Sequence, residues 1–84
     1  MSSKVHNYYE HLVFDALERR LKEKALSVSE VEFEDISCIA LNRLPARYVR
    51  YAIDTTFYAT PDDLHQMETM VDNAIEYAIS FVMK

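Results

Sequence analysis

Apolar residues along this 84-residue chain recur mostly at spacings of three and four, the period of helices that bury one face. Tyr9, Leu12, Val13, Ala16, Leu17 and Leu21 form the first such stripe, which predicts an amphipathic helix from about Val5 to Leu26. Its other face carries Glu10, Asp15, Glu18, Arg19, Lys22 and Glu23. Glu18 and Lys22 stand in the favourable i,i+4 order, and Arg19, Arg20, Lys22 and Lys24 gather where the helix dipole favours cations. Ser27 to Phe33 is polar and β-branched, which predicts a connection or a short extended piece. Glu34 and Asp35 then open a second helix whose expected buried stripe is Ile36, Ile39, Ala40 and Leu44, with Cys38 and Leu41 alongside. Pro45 ends it near Asn42 or Arg43, because the residue before a proline is pushed out of the α region.

The next stretch is ambiguous. As a strand, Arg47 to Ile53 puts Arg47, Val49, Tyr51 and Ile53 on one face; as a helix, it pairs Arg47 with Arg50 and Tyr48 with Tyr51. Tyr and Val favour the extended form, and Thr55 to Ala59 is similar, so a small hairpin about Asp54 is expected. Thr60-Pro61-Asp62-Asp63 then supplies an N-cap hydroxyl, a proline at the first helical position and two acids in the first turn. The helix that follows should bury Leu64, Met67, Val71, Ala74, Ile75, Ala78, Phe81 and Val82. No repeat or linker interrupts the pattern. It describes a mainly α fold: one domain over residues 1–84, built from three to four helices with an irregular or short β central segment.

Composition narrows the function more than the fold. The chain has no Gly, so a Walker A loop, a G-x-G-x-x-G fingerprint, a G-x-S-x-G elbow and an EF-hand loop are all excluded. Any bound phosphate must be held by side chains or a helix N-terminus. Cys38 is the one cysteine, which excludes a disulfide framework and suits a reducing, cytoplasmic setting. So small a domain buries roughly 60–65% of its unfolded surface, which predicts support from self-association, most simply a two-fold homodimer. No apolar run approaches the roughly 20 residues of a membrane span, and the N-terminus leads into a polar helix pattern without a signal peptide.

The formal net charge of −5 argues against a nucleic-acid binder, which works by neutralising phosphates. The charge is uneven, however. Acids crowd residues 27–35 and 54–84, whereas residues 36–53 hold Arg43, Arg47 and Arg50 and no acid. With Tyr48 and Tyr51 these arginines form a cationic, aromatic island. Guanidinium forks grip phosphates or guanine edges, and Tyr rings stack on bases, so the island suits a nucleotide. The alternative is that the arginines pair with carboxylates such as the Glu30 to Asp35 run while the tyrosines pack.

Other constellations offer less. His6 and Glu10 share a helix face, but His11 points elsewhere, so a zinc motif fails and a solvated face is expected. His65, Glu68, Asp72 and Glu76 form a polar stripe, expected at solvent or at an interface. Cys38, beside the apolar stripe, reads as a buried, inert thiol. Ser27, Ser29, Ser37 and Ser80 lack a paired base or elbow. No catalytic group, metal set or cofactor is expected, and the protein reads as no enzyme.

The run Asp35-Ile36-Ser37-Cys38-Ile39-Ala40-Leu41-Asn42-Arg43-Leu44-Pro45-Ala46-Arg47-Tyr48-Val49 resembles the late competence protein family ComFB, whose hallmark is D-I-x-x-x-A-L-N-x-L-P-P-x-Y-V. Asn7-Tyr8-Tyr9-Glu10, with Val13, is similar to that family's N-x-x-E-x-x-V helix start. There are departures. Many members carry zinc-binding cysteines before the Asp-Ile segment, whereas Ser29 and Glu32 hold the approximate C-x-x-C places here; the motif's second proline is Ala46. The resemblance implies a small, helical, dimeric protein linked to natural competence, in a family with some receptors for cyclic di-GMP. It thus leads to a cytoplasmic regulatory homodimer that binds cyclic di-GMP through Arg43, Arg47, Tyr48, Arg50 and Tyr51. The alternative is an adaptor whose island docks an acidic protein partner, with no small-molecule ligand.

Overall fold

The computed structural model describes residues 4–50 and 59–83. Among the described residues three helices carry the fold: α1 (Tyr9–Glu23), α2 (Glu30–Asn42) and α3 (Pro61–Val82). A two-stranded antiparallel pair, β1 (His6–Asn7) with β2 (Tyr48–Val49), ties the entry of α1 to the segment after α2, with His6 opposite Val49 and Asn7 opposite Tyr48. The mainly α architecture with a short β element is as expected. The extended form of Arg47 to Ile53 holds at Tyr48–Val49, but its partner is the N-terminal segment. The hairpin expected about Asp54 lies outside the described residues.

Each helix has a local reason for its ends. Thr60 caps α3 as expected, its hydroxyl accepting from the Asp63 amide while the Asp63 carboxylate accepts from the Thr60 amide. The start of α2 corrects the expectation of Glu34-Asp35. Ser29 and Glu32 form a reciprocal capping box that begins the helix at Glu30, so the polar run read as a connection is its first turn. Pro45 ends α2 where expected, with Arg43 as its C-cap.

The end of α1 is closed by Ala25 at φ 52°, a left-handed conformation in a chain without Gly. The Ala25 amide donates to the Lys22 carbonyl and the Leu26 amide to the Leu21 carbonyl, the paired bonds of a Schellman motif. Helix α1 is therefore shorter at both ends than the stripe from Val5 to Leu26 suggested.

The core lies where the three helices meet, with Val13, Leu17, Ile36, Ala40, Leu44, Val71, Ile75 and Ala78 among its members. Three placements differ from expectation. Cys38 is exposed, because at 100° per residue it lies 200° from both Ile36 and Ala40. Ser37 is buried in its stead, its hydroxyl donating to the Phe33 carbonyl at 2.8 Å. On α3 Ile79 joins Ala78 in the core, while Phe81, expected inside, is 52% exposed.

Ion pairs among the described residues run between helices. Arg20 of α1 binds Glu76 of α3 and lies 3.9 Å from Asp72; Lys24 reaches Glu76 at 3.1 Å. The cations near the end of α1 thus fix α3, in addition to complementing their own dipole. No helix among the described residues is long and apolar enough to cross a membrane.

Candidate functional site

Arg43 leaves the last turn of α2 one residue before the buried Leu44, so the same turn that sends Leu44 inward sends Arg43 out across α3. Its guanidinium carbon stands 3.8 Å from the centre of the Tyr77 ring, a cation–π contact that holds the group flat and leaves its edge for other acceptors. Tyr77 in turn stacks on Phe81, with ring centres 6.3 Å apart. Beside this stack Arg43, Leu44, Met70, Asn73 and Ala74 line a shallow hollow of about 200 Å³.

Arg47 and Tyr48 lie on the extended segment, and their placement depends on Asn7. The Asn7 Oδ1 accepts from the Tyr9 amide at 3.2 Å and from the Arg47 amide at 3.1 Å, while the Tyr8 amide donates to the Arg47 carbonyl at 2.6 Å. The backbone of Arg47 is thereby fixed on both sides, and its side chain, like that of Tyr48, is exposed. The Arg47 charge acts on Tyr9: burial pushes the Tyr9 phenol above its ordinary 10.0, the Arg47 guanidinium pulls it down and Tyr8 adds to the rise, with burial the largest effect.

Four of the five expected site residues are therefore visible. Arg43 sits on Tyr77; Arg47, Tyr48 and Arg50 follow along one exposed stretch. Tyr51 lies outside the described residues. Arg43 and Arg47 form no ion pair with a described carboxylate, so the expected alternative of pairing with Glu30 to Asp35 does not hold for them. Two contributors escaped the sequence reading. Tyr77 sits on the outer face of a helix whose sequence signal is its inner stripe, and Asn7 carries no signal beyond its place at a helix start.

The remaining polar groups have structural partners or open surroundings. Asp72 and Glu76 engage α1, and Glu68 and Asp72 flank a groove of about 360 Å³ between α1 and α3, whose floor includes Leu12, Met67 and Val71. The His6 Nδ1 lies 2.8 Å from the Lys4 carbonyl, and His11 packs edge-on against Tyr8. No group of three or more His, Cys, Asp and Glu among the described residues could hold a metal ion.

A small, mainly helical protein, with a short strand flanked by Arg47 and Arg50 clipped to its N-terminal segment, is thus the class that the fold and site define. Residues 6–84 match the model of the late competence development protein ComFB, and the chain belongs to that family. No curated protein and no solved structure matches the chain. The zinc that the resemblance associates with cysteines near the start of α2 does not fit here. Ser29 and Glu32 spend their side chains on the capping box, and the nearby Cys38 is a single thiol on the outer face of α2.

Proposed function

We propose that the protein is a non-enzymatic, cytoplasmic regulatory module that binds cyclic di-GMP as a homodimer, through Arg43, Arg47, Tyr48 and Arg50 with Tyr51 beside them. The observation that carries this reading is the state of the arginines. In a protein of net charge −5, Arg43 is oriented by Tyr77 and Arg47 is exposed, and neither is neutralised by a described carboxylate. A dinucleotide offers what such groups take: two phosphates for guanidinium forks and two guanines for forks or for stacking on Tyr48. Membership in a competence family supports a regulatory role over catalysis.

Calorimetric titration with a panel of cyclic and linear nucleotides tests the reading. Cyclic di-GMP should bind, and Arg47→Ala or Arg43→Ala should each weaken it by about 10- to 150-fold, the value of one charged hydrogen-bonding group of roughly 1.5–3 kcal/mol. Silence from every nucleotide at micromolar protein would end the ligand reading and leave the adaptor, in which the same arginines dock an acidic protein. Unchanged affinity in both variants would move the site elsewhere.

A further inference from the structure

The groove of about 360 Å³ between α1 and α3 lies on the side of α3 turned away from the arginines. Tyr77, which carries Arg43, comes nine residues after Glu68, and at 100° per residue that puts it on the opposite side of the helix. Ion pairs set how the two walls of the groove face each other. Arg20 approaches Asp72 and Lys24 binds Glu76, each pair 52 positions apart, so α1 and α3 run side by side in the same direction at that offset. The offset sets Asp15 and Ala16 against Met67 and Glu68, and Arg19 against Val71. On both walls the lining residues recur at spacings of three and four, from Leu12 to Arg19 and from Leu64 to Asp72. The groove is therefore a straight channel about two turns long, the form that a third helix fills. Ala16, the smallest residue of a floor shared with Leu12, Met67 and Val71, leaves room there for an apolar side chain.

The charges on the rim differ along its length. At the end near the ion pairs Arg19 and Arg20 offset Asp72. In the middle Asp15 on one wall and Glu68 on the other are both exposed, and neither forms an ion pair with a described residue. Two carboxylates across an apolar floor repel each other, and α1 and α3 supply no cation between them. We infer that this groove is the docking site for a basic amphipathic helix of a protein partner. The partner's aliphatic residues, three and four apart, lie along the floor over Ala16, and its Lys or Arg side chains stand between Asp15 and Glu68. The channel gives the partner's form and the unmatched acids give its sign. An acidic or neutral helix would cover the floor but shut the two carboxylates away from water with no cation beside them, where their repulsion grows. The inference does not rest on the nucleotide reading, which concerns the opposite side of α3. It also differs in sign from the adaptor reading, in which the arginines take an acidic partner.

Two helical peptides of about four turns test the assignment, with the same leucine stripe flanked by lysine in one and by glutamate in the other. Each is titrated into isotope-labelled protein. The lysine peptide should bind saturably with a Kd below about 1 mM and shift the methyl signals of Leu12, Ala16, Met67 and Val71, and the glutamate peptide should bind at least tenfold more weakly. Asp15→Lys with Glu68→Lys, both at exposed positions, should weaken the lysine peptide at least tenfold with an unchanged circular dichroism spectrum. Glu34→Lys with Asp35→Lys makes the same change in net charge on the exposed side of α2, away from the groove, and should leave the affinity within about threefold. No saturable binding, equal binding of the two peptides, methyl shifts away from the groove, or equal losses in the two double variants each overturns the assignment. Altered self-association of the Asp15→Lys, Glu68→Lys protein in sedimentation would give the groove to a second copy and overturn it as well.

Discussion

Replacing Ala25 by Gly should stabilise the protein, the reverse of what glycine does elsewhere in a helical protein. Ala25 stands at φ 52°, where its Cβ crowds the following carbonyl, a cost of about 1–2 kcal/mol for an L-residue other than Gly. Glycine removes that cost but makes the unfolded chain more flexible, which returns roughly 0.5–1 kcal/mol. The difference leaves a gain of about 0.5–1 kcal/mol, or about 3–6 °C in Tm for a domain of this size. The hydrogen bonds from Ala25 and Leu26 to the end of α1 are made by backbone, so the substitution keeps them. Urea unfolding followed by circular dichroism, at fixed protein concentration, reads the change as a raised midpoint at constant slope. Glu18→Gly, at an exposed interior position of the same helix, is the companion measurement and should lose about 1 kcal/mol. If both variants lost stability alike, Ala25 would not be in the left-handed conformation, and the account of how α1 ends would be wrong.

The other predictions concern the core, the Tyr9 phenol and the Asn7 clamp. Ile36→Ala removes three carbons from a fully buried side chain and should cost about 2–4 kcal/mol in the same urea assay, whereas Val31→Ala, at a side chain 67% exposed, should stay within about 0.5 kcal/mol. The folded-state pKa of Tyr9 lies above its unfolded value of 10.0, so the folded form holds its proton more tightly. Its contribution is complete below pH 10 and declines as pH rises through the higher folded value. Thermal melts from pH 8 to 11.5 should therefore show a steeper alkaline loss in the wild type than in Tyr9→Phe, and parallel curves would refute it. Asn7→Ala frees two amide donors and should cost about 1–2 kcal/mol, while Asn7→Asp keeps the acceptor and most of the stability; equal losses in the two would show that the Oδ1 bonds are not what holds β2.

What the chain revealed in advance was local. The cap at Thr60, the stop at Pro45 and the inner stripe of α3 from Met67 to Ala78 each depend on residues within one or two turns, and each is where the pattern put it, whereas beyond Ala78 the stripe turns to Ile79 in place of Phe81. The start of α2 is equally local: the S-x-x-E signature at Ser29 to Glu32 was present, but the β-branched residues around it read as a loop. The pairing of His6–Asn7 with Tyr48–Val49 is different in kind. Its two sides lie some 40 residues apart, and two-residue strands carry no alternation from which to read them. The same holds for the site. The arginines stood out as a charge reversal, whereas their supports, Tyr77 and Asn7, become visible only once α3 and the N-terminal segment are folded against them.

The motif that marks the family divides its residues between packing and display, and one piece of geometry governs the division. Along Ile36 to Val49 the inward positions Ile36, Ala40 and Leu44 are core members, so the string fixes α2 against its neighbours before it presents anything. Helical rotation then forces Arg43, adjacent to Leu44, outward over Tyr77. Pro45 stops the helix, and without that stop Arg47 would lie one turn on from Arg43 with its amide bonded back to that residue's carbonyl. Freed from the helix, that amide goes to the Asn7 side chain, and the Arg47 carbonyl accepts from Tyr8. Asn7 belongs to the other stretch that marks the family, the helix start at Asn7 to Glu10, so the two signatures meet in one hydrogen-bonded clip. The cationic surface therefore depends on the N-terminus, and perturbing Asn7 reaches Arg47 through the backbone without touching a charge.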